Sequence, residues 1–405
     1  MKSKLAIVIG FLVATCVIIV VAASGRGSRP AAASGGEGAT TGAPARPPGG
    51  GGGGTGGDVV EVPFEYSTEK REWLEAAVAE FGRGNPGIKV KLVGRGSLDS
   101  VNDILEGKSQ PVLWSPADSS LANLLASDWQ TKYGTPLFPA SGDAAPQPLL
   151  LTPLVFAVWD DRAKVLRDGG GGQLTWRAIH KAVMAKSGWP AVGGKAAWGF
   201  VKLGHTDPLR SNSGLQALVL MALEHHGAQV ISVGHVLDPK FQAFVKDIET
   251  GVTRLEASTG TFMTDMLRFG PSKYDVALVY ESLAISQLEN AQKRWDNLHI
   301  YYPPVTIWSD HPVAVLDAPW VTPAQRAAAE RLVAFLRSRP VQATALRFGF
   351  RPADPAVPIK TADGSNPFTK MAQYGLTFEL PPAVQPAEGP VVRNLLMMWS
   401  RVVKR

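Results

Sequence analysis

Three times in the chain a short apolar run stops at a cluster of small hydroxyl residues, and a helical pattern begins at once. Residues 59–64 lead to Ser67-Thr68 and a stripe of Trp73, Leu74, Ala77, Val78 and Phe81. Residues 112–114 lead to Ser115 and Ser119-Ser120. Residues 198–203 lead to Ser211-Asn212-Ser213-Gly214 and a helix ending at His225. Further strands are expected at 88–93, 149–159, 275–280, 298–302 and 313–316. Further helices are expected at 175–186, 241–249, 261–268, 282–292, 323–337 and 391–402. Strands alternating with helices in this way predict an α/β fold. In an open parallel sheet the loops after the strands share one edge, where ligands bind. Helix starts there offer unpaired N–H groups and the positive end of a dipole, which suits an anion or an oxygen-rich molecule. Each serine could instead serve only as a helix cap.

The N-terminal 58 residues have a different character. Lys2 and Lys4 precede residues 5–23, a run of 19 broken only by Gly10, Thr15 and Cys16. That length favours an uncleaved membrane anchor over a signal peptide, although Val21-Ala22-Ala23 is a passable cleavage site. Thr15 fits poorly before a lipidated Cys16. Residues 24–58 hold 14 of the 42 glycines and no apolar side chain larger than Ala. Such a segment buries nothing and is expected to be a disordered tether, reaching about 30–35 Å. The expected localisation is the cell membrane, single-pass, with the folded part outside the cytoplasm.

Charge and cysteine content narrow the function. The formal charge is +6, and half of it lies in residues 1–58. No basic run interleaved with aromatic residues follows, which argues against nucleic acid. Cys16 is the only cysteine, so residues 59–405 have no disulfide framework or cysteine nucleophile. No Gly-x-Ser-x-Gly or His-Glu-x-x-His is present. Gly107-Lys108-Ser109 lacks the rest of a phosphate loop. His225-His226 reads as surface, since neighbouring helical residues point in different directions. Tyr301-Tyr302 reads as sheet rather than a metal pair, because adjacent strand residues face opposite sides. No catalytic residue, metal site or cofactor is assigned. Tyr280-Glu281 ends a strand where a ligand would lie. Glu281 there suits a cation or a sugar hydroxyl, or it favours the start of the following helix.

The order of segments resembles the extracellular solute-binding proteins of bacterial importers, which have the type II periplasmic-binding fold. The resemblance rests on four stretches. They are Ser67-Thr-Glu-Lys-Arg-Glu-Trp-Leu running to Asn85-Pro-Gly-Ile-Lys-Val, Leu154-Val-Phe-Ala-Val-Trp, Gly204-His-Thr-Asp-Pro-Leu-Arg-Ser-Asn-Ser-Gly-Leu, and Ala327-Ala-Ala-Glu-Arg-Leu-Val-Ala-Phe-Leu with Gln342 and Gly349-Phe-Arg-Pro352. It is most similar to the branch related to molybdate-type binders, which includes solute-binding domains fused to von Willebrand A domains. No Asp-x-Ser-x-Ser motif of such a domain is present.

The resemblance implies two α/β lobes, 59–152 plus 306–405 and 153–305, with crossovers near 149–159 and 298–306. A single transmembrane or signal segment (1–23) and the Gly-rich linker (24–58) precede them. It implies a small-molecule ligand between the lobes, touched by Ser67, Thr68, Ser115, Ser211, Ser213, Gly214 and Tyr280, with Glu281 beside them. Glu281 facing that cleft would disfavour a bare oxyanion. The implied work is capture of a small oxygen-rich solute for import or sensing, with an importer permease or an envelope protein as partner and no enzymatic step. The alternative is an envelope scaffold that keeps the fold without transport.

Overall fold

Apolar residues run almost without interruption from Leu154 to Trp159 and from Val276 to Tyr280, and the packing explains why. In the computed structural model, alternate residues of each run enter two different cores. Leu154, Phe156, Val158, Val276, Leu278 and Tyr280 face one side. Val155, Ala157, Trp159, Ala277 and Val279 face the other. A strand covered on both faces has no polar side to show. The structure describes residues 59–403, except 143, 296–297, 361–365 and 381–382, and excluding the side chains of 289 and 293. The expected anchor and tether lie outside these residues. No helix among the described residues is long and apolar enough to cross a membrane.

The elements follow in chain order. First come β1 (Val60–Ser67), α1 (Arg71–Gly84), β2 (Ile88–Arg95), α2 (Ser97–Leu105), β3 (Leu113–Ser115) and α3 (Ser119–Tyr133). Next come β4 (Leu150–Trp159), α4 (Asp160–Gly169), α5 (Trp176–Val183), β5 (Leu203–Gly204), α6 (Asn212–His226), α7 (Val233–Leu237), α8 (Pro239–Glu249) and α9 (Thr259–Phe269). Then follow β6 (Val276–Tyr280), α10 (Glu281–Arg294), β7 (Leu298–Tyr301), β8 (Trp308–Ser309) and β9 (Ala314–Val315). The chain closes with α11 (Pro323–Leu336), α12 (Arg339–Thr344), β10 (Arg351–Pro352), α13 (Pro367–Lys370) and α14 (Gly389–Val402).

The first sheet has the order β2-β1-β3-β9, with β1 parallel to both neighbours and β9 antiparallel. The second has the order β10-β4-β6-β5, and β7 and β8 also pair with β4. β4 changes partners at Pro153. Residues 150–153 pair with β10 and β8, and residues 154–159 with β6 and β7. Proline has no N–H to give a ladder, so a change of partner is a tolerable place for it.

α6 is buried from Asn212 to Leu223. Its sequence, apolar on all sides from Ala217 to Leu223, is that of a helix enclosed by protein. Gly214 is required there, since a Cβ would lie 2.3 Å from the Thr206 carbonyl oxygen. The expected strand at 198–203 is corrected. Only Leu203–Gly204 pairs with β6, Ala196–Trp198 is a 3-10 turn, and Phe200 is exposed. The helix α4 is not among the sequence expectations. Its Asp160, Asp161 and Lys164 carry a polar face that hides the buried Ala163 and Leu166.

Candidate functional site

The ends of β1, β3 and β6, the start of α6 and the segment after β8 meet around a buried polar cluster. Lys70 follows β1 and is fully buried. Its ammonium donates to Ser67 Oγ at 2.6 Å, to the Ser115 carbonyl at 2.8 Å and to the Pro116 carbonyl at 3.3 Å. Burial pushes Lys70 down to about 7, against the opposing pull of Glu69 and Asp310. Asp118 caps α3 by accepting the Ser120 N–H at 2.6 Å. Burial, and then the charge of Asp310, push Asp118 up to about 7. Asp310 accepts the Ser119 N–H at 2.8 Å and also its hydroxyl, and burial raises it too. The Asp310 charge favours the protonated form of Asp118, and the hydrogen bonds from Ser119 favour the ionised form of Asp310.

His311 is the only non-glycine among the described residues with a positive φ, at 41°. Ser67 Oγ lies 3.3 Å from its Nδ1, and the Ser115 hydroxyl donates to its carbonyl at 3.4 Å. Burial and the Lys70 charge hold its imidazole neutral, well below the usual histidine range. A left-handed backbone at a non-glycine residue costs about 1–3 kcal/mol and recurs where a side chain must be aimed.

From the α6 side, Asn212 donates to Tyr280 Oη at 3.1 Å, and Gln216 reaches Ser120 Oγ at 3.5 Å. The Tyr280 and His311 rings are 6.2 Å apart. Buried atoms around this junction without a hydrogen-bond partner include Asp118 Oδ2, Asn212 Oδ1, Gln216 Oε1, Glu69 Oε2 and His311 Nε2, along with the hydroxyls of Ser282 and Ser309. Leaving such a group unpaired costs about 1–3 kcal/mol. Thr68, Glu69 and Ser282 also line a cleft of about 410 Å³, with Trp73, Ser258 and Phe350 on its walls.

The sequence-expected residues fall into four settings. Ser67, Ser115 and Tyr280 join the cluster, and Thr68 lines the cleft. Ser211 is the N-cap of α6 but makes no side-chain capping bond. Ser211 and Ser213 form a hydroxyl chain inside the second half, with Ser213 Oγ 2.7 Å from Thr206 Oγ1 and 2.7 Å from Thr259 Oγ1. Gly214 serves the close approach to Thr206. Glu281 is taken up elsewhere. Arg351 grips it with two bonds of 2.8 and 2.7 Å, and the Tyr302 hydroxyl donates to the same carboxylate. Arg351 also donates to the carbonyls of Phe378 and Thr377. Planar two-point pairing of this kind fixes both groups, so Glu281 carries no free oxygen to the cluster.

Lys70, Asp118, Asn212, Gln216, Asp310 and His311 were not among the expected site residues. Asn212 stood inside the Ser211–Gly214 motif, and Asp118 stood one residue before Ser119-Ser120. That placement was the available signal.

The described shape has wide precedent. The sulfate-binding protein SubI from Mycobacterium tuberculosis H37Rv superposes with a TM-score of 0.54 at 17% identity, covering 85% of this chain and 98% of that one. The periplasmic binding protein AfuA from Actinobacillus pleuropneumoniae, solved with fructose-6-phosphate, gives 0.57 at 15% identity, covering 85% and 98%. A periplasmic thiamin-binding protein gives 0.58 at 14% identity, covering 87% and 98%. These likenesses establish a mixed α/β, two-lobed periplasmic-binding fold. No curated protein sequence matches the chain. The family model for bacterial extracellular solute-binding proteins matches residues 66–351, most of the chain, and the protein belongs to that family.

Proposed function

We propose that this protein captures a small polyhydroxylated solute between its two lobes and presents it to an importer permease. The observation that carries the reading is the set of buried, unpartnered atoms on Asp118, Asn212, Gln216, Glu69 and His311. The oxygens of Asn212, Gln216 and Glu69 accept hydrogen bonds, and that of Asp118 accepts when its carboxyl is ionised. Beside them stands one buried cation, Lys70. A sugar-like solute supplies hydroxyls that donate to the oxygens, while Lys70 directs its three N–H groups to Ser67, Ser115 and Pro116 and holds their loops in place. A bare oxyanion of the kind held by molybdate-type binders has no proton to offer those oxygens and would meet the Asp118–Asp310 pair. Ser67, Thr68, Ser115, Ser211, Ser213, Gly214 and Tyr280 would shape this site, and Glu281 would hold its wall through Arg351. In the same reading, residues 5–23 anchor the chain, residues 24–58 tether it, and the lobes are 59–152 with 306–405 and 153–305.

The test is a thermal-shift screen of the purified protein against neutral polyols and sugars, quaternary amines, and sulfate, phosphate and molybdate. A polyol at 100 times its Kd is expected to add about 2.7 kcal/mol to stability. Asp118→Asn and Gln216→Leu should each weaken that ligand by about tenfold or more. Stabilisation by the oxyanions alone would overturn the assignment.

A further inference from the structure

His225 and His226 end α6, and Gly227, at φ +61°, stops the helix. This is the opposite end from the cleft, about 20 Å away along the helix. Two adjacent helical residues should diverge, yet here both rings close on Phe241 of α8, at 5.6 and 5.5 Å. The rings are 4.9 Å from each other, and His226 stacks on His235 of α7 at 4.5 Å. The chain returns beside them at Asp238, the N-cap of α8. Its Oδ1 accepts the Lys240 N–H at 3.0 Å. One donor atom from each of His225, His226 and Asp238 lies within 4.8 Å of the other two, and all three residues are half-buried.

We propose that His225, His226 and Asp238 form a binding site for a divalent transition-metal ion of the zinc type. Two imidazoles and one carboxylate are a ligand set such ions accept, with water completing the shell. His226 Nε2 lies 3.1 Å from the His235 carbonyl. A carbonyl only accepts, so Nε2 carries the proton and Nδ1 keeps the lone pair. Orientation of a ligating ring by a carbonyl behind it is the usual supporting arrangement at metal sites. The negative end of the α6 dipole also favours a cation here.

The Arg177 guanidinium opposes a cation here and the Asp238 carboxylate attracts one. Arg177 donates to the carbonyls of Glu224 and His225, and His180 pairs with Asp247 at 3.0 Å. Zinc bonds of about 2.0–2.2 Å require the donors to draw in by roughly 1 Å. Rotation of the His225 ring and the Asp238 carboxylate supplies that movement. The bound ion would pin the end of α6 to the start of α8. The site shares no residue with the cleft and does not depend on the solute reading.

The test is calorimetric titration of the untagged full chain with Zn²⁺, with Co²⁺ absorption as a second readout. One equivalent is expected, and Cys16→Ser should keep it. His225→Gln and Asp238→Asn should each weaken it by at least about tenfold. Asn caps a helix as well as Asp does, so Asp238→Asn spares the fold; the metal-free melting temperature checks this. His299→Gln, on a different surface, should bind as wild type does. No binding to the folded wild-type chain, or wild-type binding in the His225→Gln/Asp238→Asn double variant, would overturn the site.

Discussion

Lys70 and Asp118 are both fully buried, and their pKa values converge from opposite sides to about 7. The consequences for stability have opposite signs. An unfolded aspartate titrates near about 4. Between about pH 4 and 7 the folded state therefore holds a proton on Asp118 that the unfolded state has lost, and stability falls as pH rises. An unfolded lysine titrates near about 10.4. Between about pH 7 and 10 the unfolded state holds the proton that Lys70 has lost, so stability rises with pH. The ligand-free protein should therefore show a stability minimum near neutrality, with each group contributing at most about 1.4 kcal/mol per pH unit. Urea denaturation across pH 4–10 measures it. Lys70→Met should flatten the alkaline rise and Asp118→Asn the acid fall. Unchanged slopes in both variants would show that these groups are not buried in the way described.

At the scale of elements, α14 carries a burden that its place at the end of the sequence hides. It packs against α3 on one side and against α6, α7 and α8 on the other. Arg393 pairs with Asp128 of α3, Trp399 Nε1 donates to Glu249 of α8 at 2.7 Å, and Arg401 reaches Gln242 at 2.9 Å. Leu395 is fully buried, whereas Met397 is 64% exposed. Leu395→Ala should cost about 2–5 kcal/mol, and Met397→Ala no more than about 0.5 kcal/mol. Equal effects in urea melts would mean that the helix is not seated. The span of α14 was legible from its apolar spacing, and so were β1, β4 and β6 from their apolar runs. Its double partnership was not, because periodicity gives a face but not what covers it. The same limit applies to the site. Hydroxyl residues at strand ends were legible. Nothing local marks Lys70 or Asp118 as buried, because packing between distant segments is what buries them. Trp198, Phe200 and Val201 mimic a strand locally, but the pairing stops at Leu203.

For the whole molecule, the question is what keeps the two lobes together without solute. One apolar core runs from Trp114, Leu121 and Leu125 through Val392, Leu395 and Trp399 to Leu218, Phe241 and Ile248. α14 lies in the middle of that core, so parting α3 from α6, α7 and α8 exposes one of its flanks. Polar ties across the cleft are weaker, such as Gln216 to Ser120 at 3.5 Å. The buried Arg351–Glu281 pair resists a shift of β10 against α10, because leaving one of two buried charges without its partner costs about 3–5 kcal/mol. These features favour a closed shape before solute arrives, with opening governed by how readily α14 leaves one flank. The described residues, within 59–403, form one compact unit, so the folded part can be measured without its N-terminal segment. A closed chain of this length should have a radius of gyration of about 20 Å. Solution scattering should give that value for the solute-free protein, and Leu395→Asp/Trp399→Ala should raise it while the far-ultraviolet spectrum stays native. A wild-type value already well above this, falling only when solute is added, would mean that α14 does not hold the lobes and that the solute does the closing.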